Sequence, residues 1–109
     1  MATDAECLMR IISKKRLDDA VALHPKARTT IAHWYIVAKA AVWRHFPDTR
    51  ATFHHADQVT VRSNHTVTVF NLTNNFRLIT AIHYNRRTVF VLRVLTHADY
   101  SRGDWHKEL

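Results

Sequence analysis

The sequence predicts an α+β domain, with helices packed on one face of a mainly antiparallel sheet. Two observations carry this expectation. Apolar residues recur at three- and four-residue steps as far as Val42, and every second residue after Asp57. The second half is also rich in Val, Thr, Ile and Phe, in runs separated by turn formers. At 109 residues the chain is long enough for one core and one domain.

Taken in order, Cys7 to Ser13 (CLMRIIS) is a short apolar run suited to a first strand. From Lys14 to Leu23, the residues Leu17, Ala20, Val21 and Leu23 fall at near-helical spacing. His24-Pro25 ends that helix, because the residue before a proline avoids the α region. Pro25 also suits the first turn of the next helix. Over Ala27 to Val42, the side chains of Ile31, Trp34, Tyr35, Ala38 and Val42 form one apolar stripe. Phe46-Pro47-Asp48 breaks the chain again and precedes a short helix, Thr49 to His54, with Asp48 as its N-cap. Val59 and Val61 then alternate with Gln58, Thr60 and Arg62. Three further strands are predicted over His65 to Leu72, Phe76 to His83 and Thr88 to Leu95, followed by a polar tail. One Gly and two Pro leave most turns to Asn, Asp and Ser, as at Ser63-Asn64 and Tyr84-Asn85.

Sixteen Lys and Arg against nine Asp and Glu give a formal charge of +7, and nine His add to it as pH falls. On a domain this small, such a field favours polyanions, nucleic acid or ribosome, and speeds encounter with them. A solvated basic surface that only keeps the protein soluble carries the same charge. No run approaches the roughly 18 apolar residues of a membrane span, and Asp4 and Glu6 interrupt any signal peptide. The expected compartment is the cytoplasm, with no membrane partner. Cys7 is alone and cannot form an internal disulfide, as suits a reducing environment.

No metal is expected. His54-His55 are adjacent and diverge on a helix or strand, while His24, His33, His45, His65, His83 and His106 are isolated singles. Neither HExxH nor CxxC occurs. With a single glycine there is no phosphate-binding Gly-rich loop and no Gly-x-Ser-x-Gly elbow, so nucleotide-dependent and acyl-transfer chemistry are set aside and no cofactor is expected.

Two apolar strands, one through Phe76-Arg77-Leu78-Ile79 and one through Arg93-Val94-Leu95, lead to the polar cluster Thr96-His97-Ala98-Asp99-Tyr100. A rigid strand that delivers a titratable group to the rim of a sheet can hold chemistry in place. Imidazole suits proton transfer at cell pH, which makes His97 a candidate acid or base; equally, it can cap the following turn. Arg77 and Arg93 lie in apolar strands, either on a solvated face or as clamps for a phosphate. Arg93 and His97 share a face if their strand continues regularly. Arg77 joins them if the connecting loop has an odd number of residues; Asn85 has no Gly beside it for a two-residue primed turn, so the three-residue loop Asn85-Arg86-Arg87 is expected, pairing Tyr84 with Thr88 and Arg77 with Leu95. Tyr100 can stack a base, donate its hydroxyl to a phosphate or cover the sheet edge, and Trp105 is expected to dock the tail.

From Met9 to Trp105 the chain resembles the HigB-type toxins of the RelE superfamily. Met9-Arg10-Ile11-Ile12-Ser13, His24-Pro25, Trp34-Tyr35, Lys39 followed by Trp43, and Arg50-Ala51-Thr52-Phe53 carry the resemblance through the first half. Val69-Phe70-Asn71-Leu72, Phe76-Arg77-Leu78-Ile79, Leu95 through Tyr100 and Gly103-Asp104-Trp105 carry it through the second. The resemblance implies a RelE-like single domain over residues 9–109, with residues 1–8 as a poorly ordered extension or a misassigned start. It implies a ribosome-dependent, metal-independent mRNA endonuclease acting in the ribosomal A site. His97, Arg77 and Tyr100 would be its catalytic residues, with Arg93, Arg50, Lys39, Asn71 and Asn75 contacting mRNA or ribosomal RNA. The strand lysines of RelE appear here as Thr68 and Phe70, so Arg50, Lys39 or Arg93 would supply that charge. The Gly-Gly-Asn turn frequent in HigB proteins is Thr73-Asn74-Asn75, and Asn74 can adopt a left-handed conformation at modest cost. The implied partner is a cognate helix-turn-helix antitoxin of the HigA type, with operator DNA bound only through the complex of the two. A non-catalytic RNA-binding or ribosome-binding protein that blocks translation by occupancy needs the same charge and strands but no titrating group.

Overall fold

The computed structural model describes residues 8–73 and 75–109. Strand β1 (Arg10–Ile12) leads into α1 (Lys14–Leu23), a 3-10 turn (Pro25–Ala27), α2 (Arg28–Ala40) and α3 (Phe46–Thr52). Then come β2 (Asp57–Thr60), β3 (Thr66–Thr73), β4 (Phe76–His83) and β5 (Thr88–Thr96), and the chain closes with α4 (His97–Arg102) and α5 (Asp104–Glu108). The strands make one sheet in the order β1-β5-β4-β3-β2, in which β1 runs parallel to β5 and every other pair is antiparallel. The α+β class read from the change of period is the class observed.

The helices cover one face because their apolar stripe matches the alternate residues of the strands. Ile31, Trp34 and Ala38 of α2 and Leu17 of α1 are buried against Phe70 of β3, Phe76 and Leu78 of β4, and Val89 and Val91 of β5. Trp34, Trp43, Phe53 and Phe70 form an aromatic nest, with Trp34 edge-on to Phe70 at 5.4 Å and Trp43 stacked on it at 6.1 Å. Burying each such ring is worth about 1.5–3 kcal/mol. Two polar pairs lie at its margin: the Trp43 indole donates to Thr52 Oγ1 at 3.0 Å, and the Thr49 and Tyr84 hydroxyls bond each other at 3.0 Å.

The other face carries a smaller core of Val61, Val67, Val69 and Ile79, closed by Trp105 of α5. The segment read as a polar tail is therefore two short helices. Gly103, at φ 79°, makes the left-handed turn between them that a residue with a Cβ adopts only at a cost. Trp105 docks the tail as expected, with only 3% of its surface exposed.

Several boundaries shift. The strand read from Cys7 covers only Arg10–Ile12, and Cys7 itself lies outside the described residues. The expected extension lies outside them as well, apart from Leu8, as does the left-handed conformation expected of Asn74. The short helix begins at Phe46 rather than Thr49, with Pro47 in its first turn. Asp48 is thus inside the helix, and its carboxylate accepts the backbone N–H of Arg44 at 2.9 Å instead of capping forward.

The hairpin between β4 and β5 corrects the loop and keeps the register. The loop is Tyr84 to Arg87, an even number of residues, with Arg87 at positive φ, and it pairs His83 with Thr88. Left alone, that pairing would put Arg77 opposite Val94 and on the face away from Arg93 and His97. A bulge at Leu92 absorbs one extra residue, since Thr80 pairs with Val91 while Ile79 pairs with Arg93. Arg77 consequently faces Leu95, the expected pairing reached by another route.

Candidate functional site

Alternation along β4 sends Phe76 and Leu78 into the helical core and Arg77 out of the opposite face. At the end of β5, Thr96 caps α4, its Oγ1 accepting the N–H of Asp99 at 3.1 Å. Thr96-x-x-Asp99 is a helix-start signature that the sequence shows plainly; the cap is Thr96 and not His97. His97 becomes the first residue of α4, and its N–H donates to the Asn75 carbonyl at 2.6 Å. Tyr100 follows one turn later on the same side of the helix.

These placements bring three side chains together. Arg77 Nη2 lies 3.3 Å from His97 Nδ1. A guanidinium only donates, so a hydrogen bond here needs Nδ1 as its acceptor; Nε2 is the ring nitrogen outside this contact. The Arg77 guanidinium carbon lies 5.7 Å from the centre of the Tyr100 ring, within cation–π range. Tyr100 in turn stacks on Trp105 at 5.1 Å and 20°, and the Trp105 indole donates to the Tyr100 carbonyl at 3.0 Å. Arg77 Nη1 also donates to the Phe76 carbonyl at 3.2 Å. His97 is exposed and Arg77 and Tyr100 are half-buried, so the cluster opens to solvent at the rim.

Electrostatics favours a protonated tyrosine. Burial raises the Tyr100 hydroxyl above its ordinary value of 10.0, the Asp57 carboxylate adds to the effect, and Arg77 opposes it. At neutral pH Tyr100 is a hydrogen-bond donor beside a cation and an imidazole.

The remaining candidates divide. Asn71 on β3 pairs with Arg77 and is exposed on the same face, and Asn75 is exposed at the turn before β4. Arg93 is one row away, opposite Ile79 on the face of Arg77, but its Nη2 is held by Glu108 at 3.3 Å. Lys39 and Arg50 lie on α2 and α3, across the sheet from the cluster, and Lys39 Nζ sits 5.6 Å from the Tyr35 ring. Thr68 and Phe70 alternate with Val67 and Val69 and face the helical layer. A charge at either position would point away from Arg77, and Asn71 is the β3 residue that points toward it.

Asp57 and Trp105 are the residues near the site that sequence reasoning did not place there. Asp57 starts an edge strand far from Tyr100 in the chain, and only the pairing of Asp57 with Val69, then Val69 with Ile79, brings it across. Trp105 carried a local signal, two residues after the chain's single glycine.

The family model for the HigB toxin, described as the RelE-like toxic component of a toxin–antitoxin system, matches residues 27–103. That span runs from the start of α2 through α4 and contains Lys39, Arg50, Asn71, Asn75, Arg77, Arg93, His97 and Tyr100. No curated protein matches the chain.

Proposed function

Since the chain belongs to the HigB toxin family of RelE-like toxic components of toxin–antitoxin systems, we propose that it is a ribosome-dependent, metal-independent endoribonuclease that cuts mRNA in the ribosomal A site. The observation that carries the reading is the Arg77–His97 contact of 3.3 Å at an open rim, with the Tyr100 ring beside it. Cleavage requires the 2′-hydroxyl to lose a proton as its oxygen attacks phosphorus. The bond from phosphorus to the 5′-oxygen breaks, that oxygen gains a proton, and a cyclic phosphate and a free 5′-hydroxyl result.

His97 is the proton-transfer group in this reading. The role falls to Nε2, since Nδ1 lies against Arg77 and the residue is exposed. Arg77 binds the scissile phosphate and stabilises the charge that builds on it, the part a fixed cation plays most strongly in the transition state. Tyr100, kept protonated by burial, orients a phosphate oxygen or a proton. Asn71 and Asn75 line the approach to Arg77 and contact the RNA strand. Arg93 joins them when the strand takes it from Glu108. Lys39 and Arg50, on the helical layer, contact ribosomal RNA. The complex with a cognate helix-turn-helix antitoxin represses its own operon, the toxin reaching operator DNA only through that partner. No helix of the described residues is long and apolar enough to cross a membrane, and the protein acts in the cytoplasm with the ribosomes.

Primer extension on a defined mRNA, with and without translating ribosomes, tests the reading. Cuts should appear only with ribosomes, and His97→Ala should reduce them by about 100- to 10,000-fold while leaving the melting transition in place. Translation arrest on intact mRNA would mean that the protein acts by occupancy. Undiminished cutting by His97→Ala would remove His97 from the chemistry.

A further inference from the structure

The bulge at Leu92 brings Arg77 to the face of His97, and a residue far from both in the chain holds it. Strand β1 runs beside β5 only as far as Ile12, opposite Phe90. Beyond Phe90, that edge of β5 has no neighbouring strand among the described residues. At Ser13 the backbone turns through a left-handed conformation (φ 70°) into α1. Because β1 and β5 are parallel, α1 begins beside the stretch of β5 that follows Phe90. There Arg16, in the first turn of α1, donates from Nη1 to the Leu92 carbonyl at 2.6 Å.

The bond falls where the sheet leaves a gap. Leu92 is the extra residue of the bulge, with no pairing residue in β4. A backbone carbonyl outside the ladder needs a donor from elsewhere, and a guanidinium makes that bond charge-assisted. Arg16 has no ion pair among the described residues. Its neighbour Asp19, which lines the same depression beside Leu92, is held instead by Lys15 at 3.1 Å. The Leu92 side chain meanwhile packs against the second core. Apolar contact on the sheet face and a hydrogen bond at the sheet edge thus grip the bulge together.

What the bulge controls is the phase of the strand. Val89 and Val91 enter the helical core before it, and after it Val94 packs on that core and Leu95 on the second one. These side chains fix the coarse register, which no single surface bond reverses. The backbone geometry at the bulge itself is the finer variable, and His97 lies five residues further on. Its Nδ1 is 3.3 Å from Arg77 Nη2, at the long end of hydrogen-bond range. A displacement of about 1 Å between reacting groups costs on the order of a hundredfold in rate.

We propose that Arg16 is a positioning residue for the rim site. By holding the Leu92 carbonyl it sets the bulge and, through the last residues of β5, the place of His97 against Arg77. In this role Arg16 meets no substrate and acts through the backbone alone. The proposal rests on the ribonuclease reading of the rim.

Single-turnover cleavage of a defined mRNA on translating ribosomes, joined to amide ¹H–¹⁵N spectra of the same proteins, tests this. Arg16→Met keeps the aliphatic stem and removes the donors. It should lower the maximal rate by about 10- to 100-fold and leave the half-saturating ribosome concentration unchanged. Arg16→Lys can still donate to the carbonyl and should recover part of that rate. Because Arg16 is exposed, both variants should stay folded. In the spectra of Arg16→Met, the amides of Leu92, Arg93 and His97 should move while those of α2 stay in place. A change confined to the half-saturating concentration would make Arg16 a contact for ribosomal RNA and overturn the proposal. An unchanged rate, or a His97 amide that does not move, would overturn it as well. If the parent cuts nothing, the ribonuclease reading fails on its own account. The spectra then decide the clamp: moved Leu92 and His97 amides uphold it, and unmoved ones overturn it.

Discussion

On the helical face of the sheet, Trp34, Trp43, Phe53 and Phe70 each touch at least two of the others, and no single contact defines the nest. On the opposite face, at the rim, Arg77, His97 and Tyr100 are placed by individual devices. These are a bulge at Leu92, a cap at Thr96, a bond from His97 to the Asn75 carbonyl and a stack on Trp105. The first arrangement is collective and gives the domain its stability. The second is a chain of separate constraints that sets the geometry of a few polar groups, and little stability rides on any one of them. A site of this kind can be lost without unfolding, because what positions it is not what holds the fold.

The sharpest way to break the comparison is to remove one large group from each face. Trp34→Ala should cost about 3–5 kcal/mol in urea unfolding, since Trp34 is 1% exposed and its cavity cannot fill. Arg77→Ala should leave that unfolding curve nearly unchanged and lower the rate of ribosome-dependent cleavage by about 100- to 1,000-fold. If Arg77→Ala unfolds as readily as Trp34→Ala, the two faces do not divide stability from function.

Thr96→Ala probes a single constraint. Loss of the cap should cost about 1 kcal/mol in stability. The accompanying loss of cleavage should exceed what the unfolded fraction accounts for, because His97 begins the uncapped helix. A loss of cleavage that merely tracks unfolding would show that the cap does not position His97.

The smallest effect belongs to pH. Burial, the first cause in both cases, raises the hydroxyls of Tyr84 on the helical side and Tyr100 at the rim above their ordinary value of 10.0. In the unfolded chain they lose their protons near pH 10, before the folded protein does. The stability linked to them is whole below that pH and falls as pH rises toward the raised folded values. Urea melts between pH 8 and about 11 should show this decline, shallower in Tyr84→Phe with Tyr100→Phe than in the parent. An equal decline in both proteins would assign it to other groups.

How much could be read ahead of the fold follows the same division. Phe76–His83 was legible to the residue because β-branched and aromatic residues run unbroken between turn formers. The stripe of Ile31, Trp34 and Ala38 announced both α2 and the face it would bury. His97, Arg77 and Tyr100 could be singled out because polar groups in or just after apolar strands are conspicuous. The pairing of Arg77 with Leu95 follows from the register expected of the hairpin, but the device that produces it could not be read. The loop of Tyr84 to Arg87 is even where an odd one was expected, and a one-residue bulge restores the face. Nothing local in the residues around Leu92 announces that bulge, because it answers to pairing with Ile79 and Thr80 and to the twist of the whole sheet.

The sequence by itself determined the α+β class, the helical stripe, the strands and the types of group available for chemistry, because each depends on periodicity and residue type over a few neighbours. Only the tertiary structure decided how Arg77 comes to face His97, that Asp57 acts on Tyr100, that Thr68 and Phe70 look away from the rim, and that a second core exists for Trp105 to close. Those outcomes depend on register and on which face a strand presents. A shift of one residue in pairing reverses every side chain on a strand, and no local preference carries enough energy to settle it.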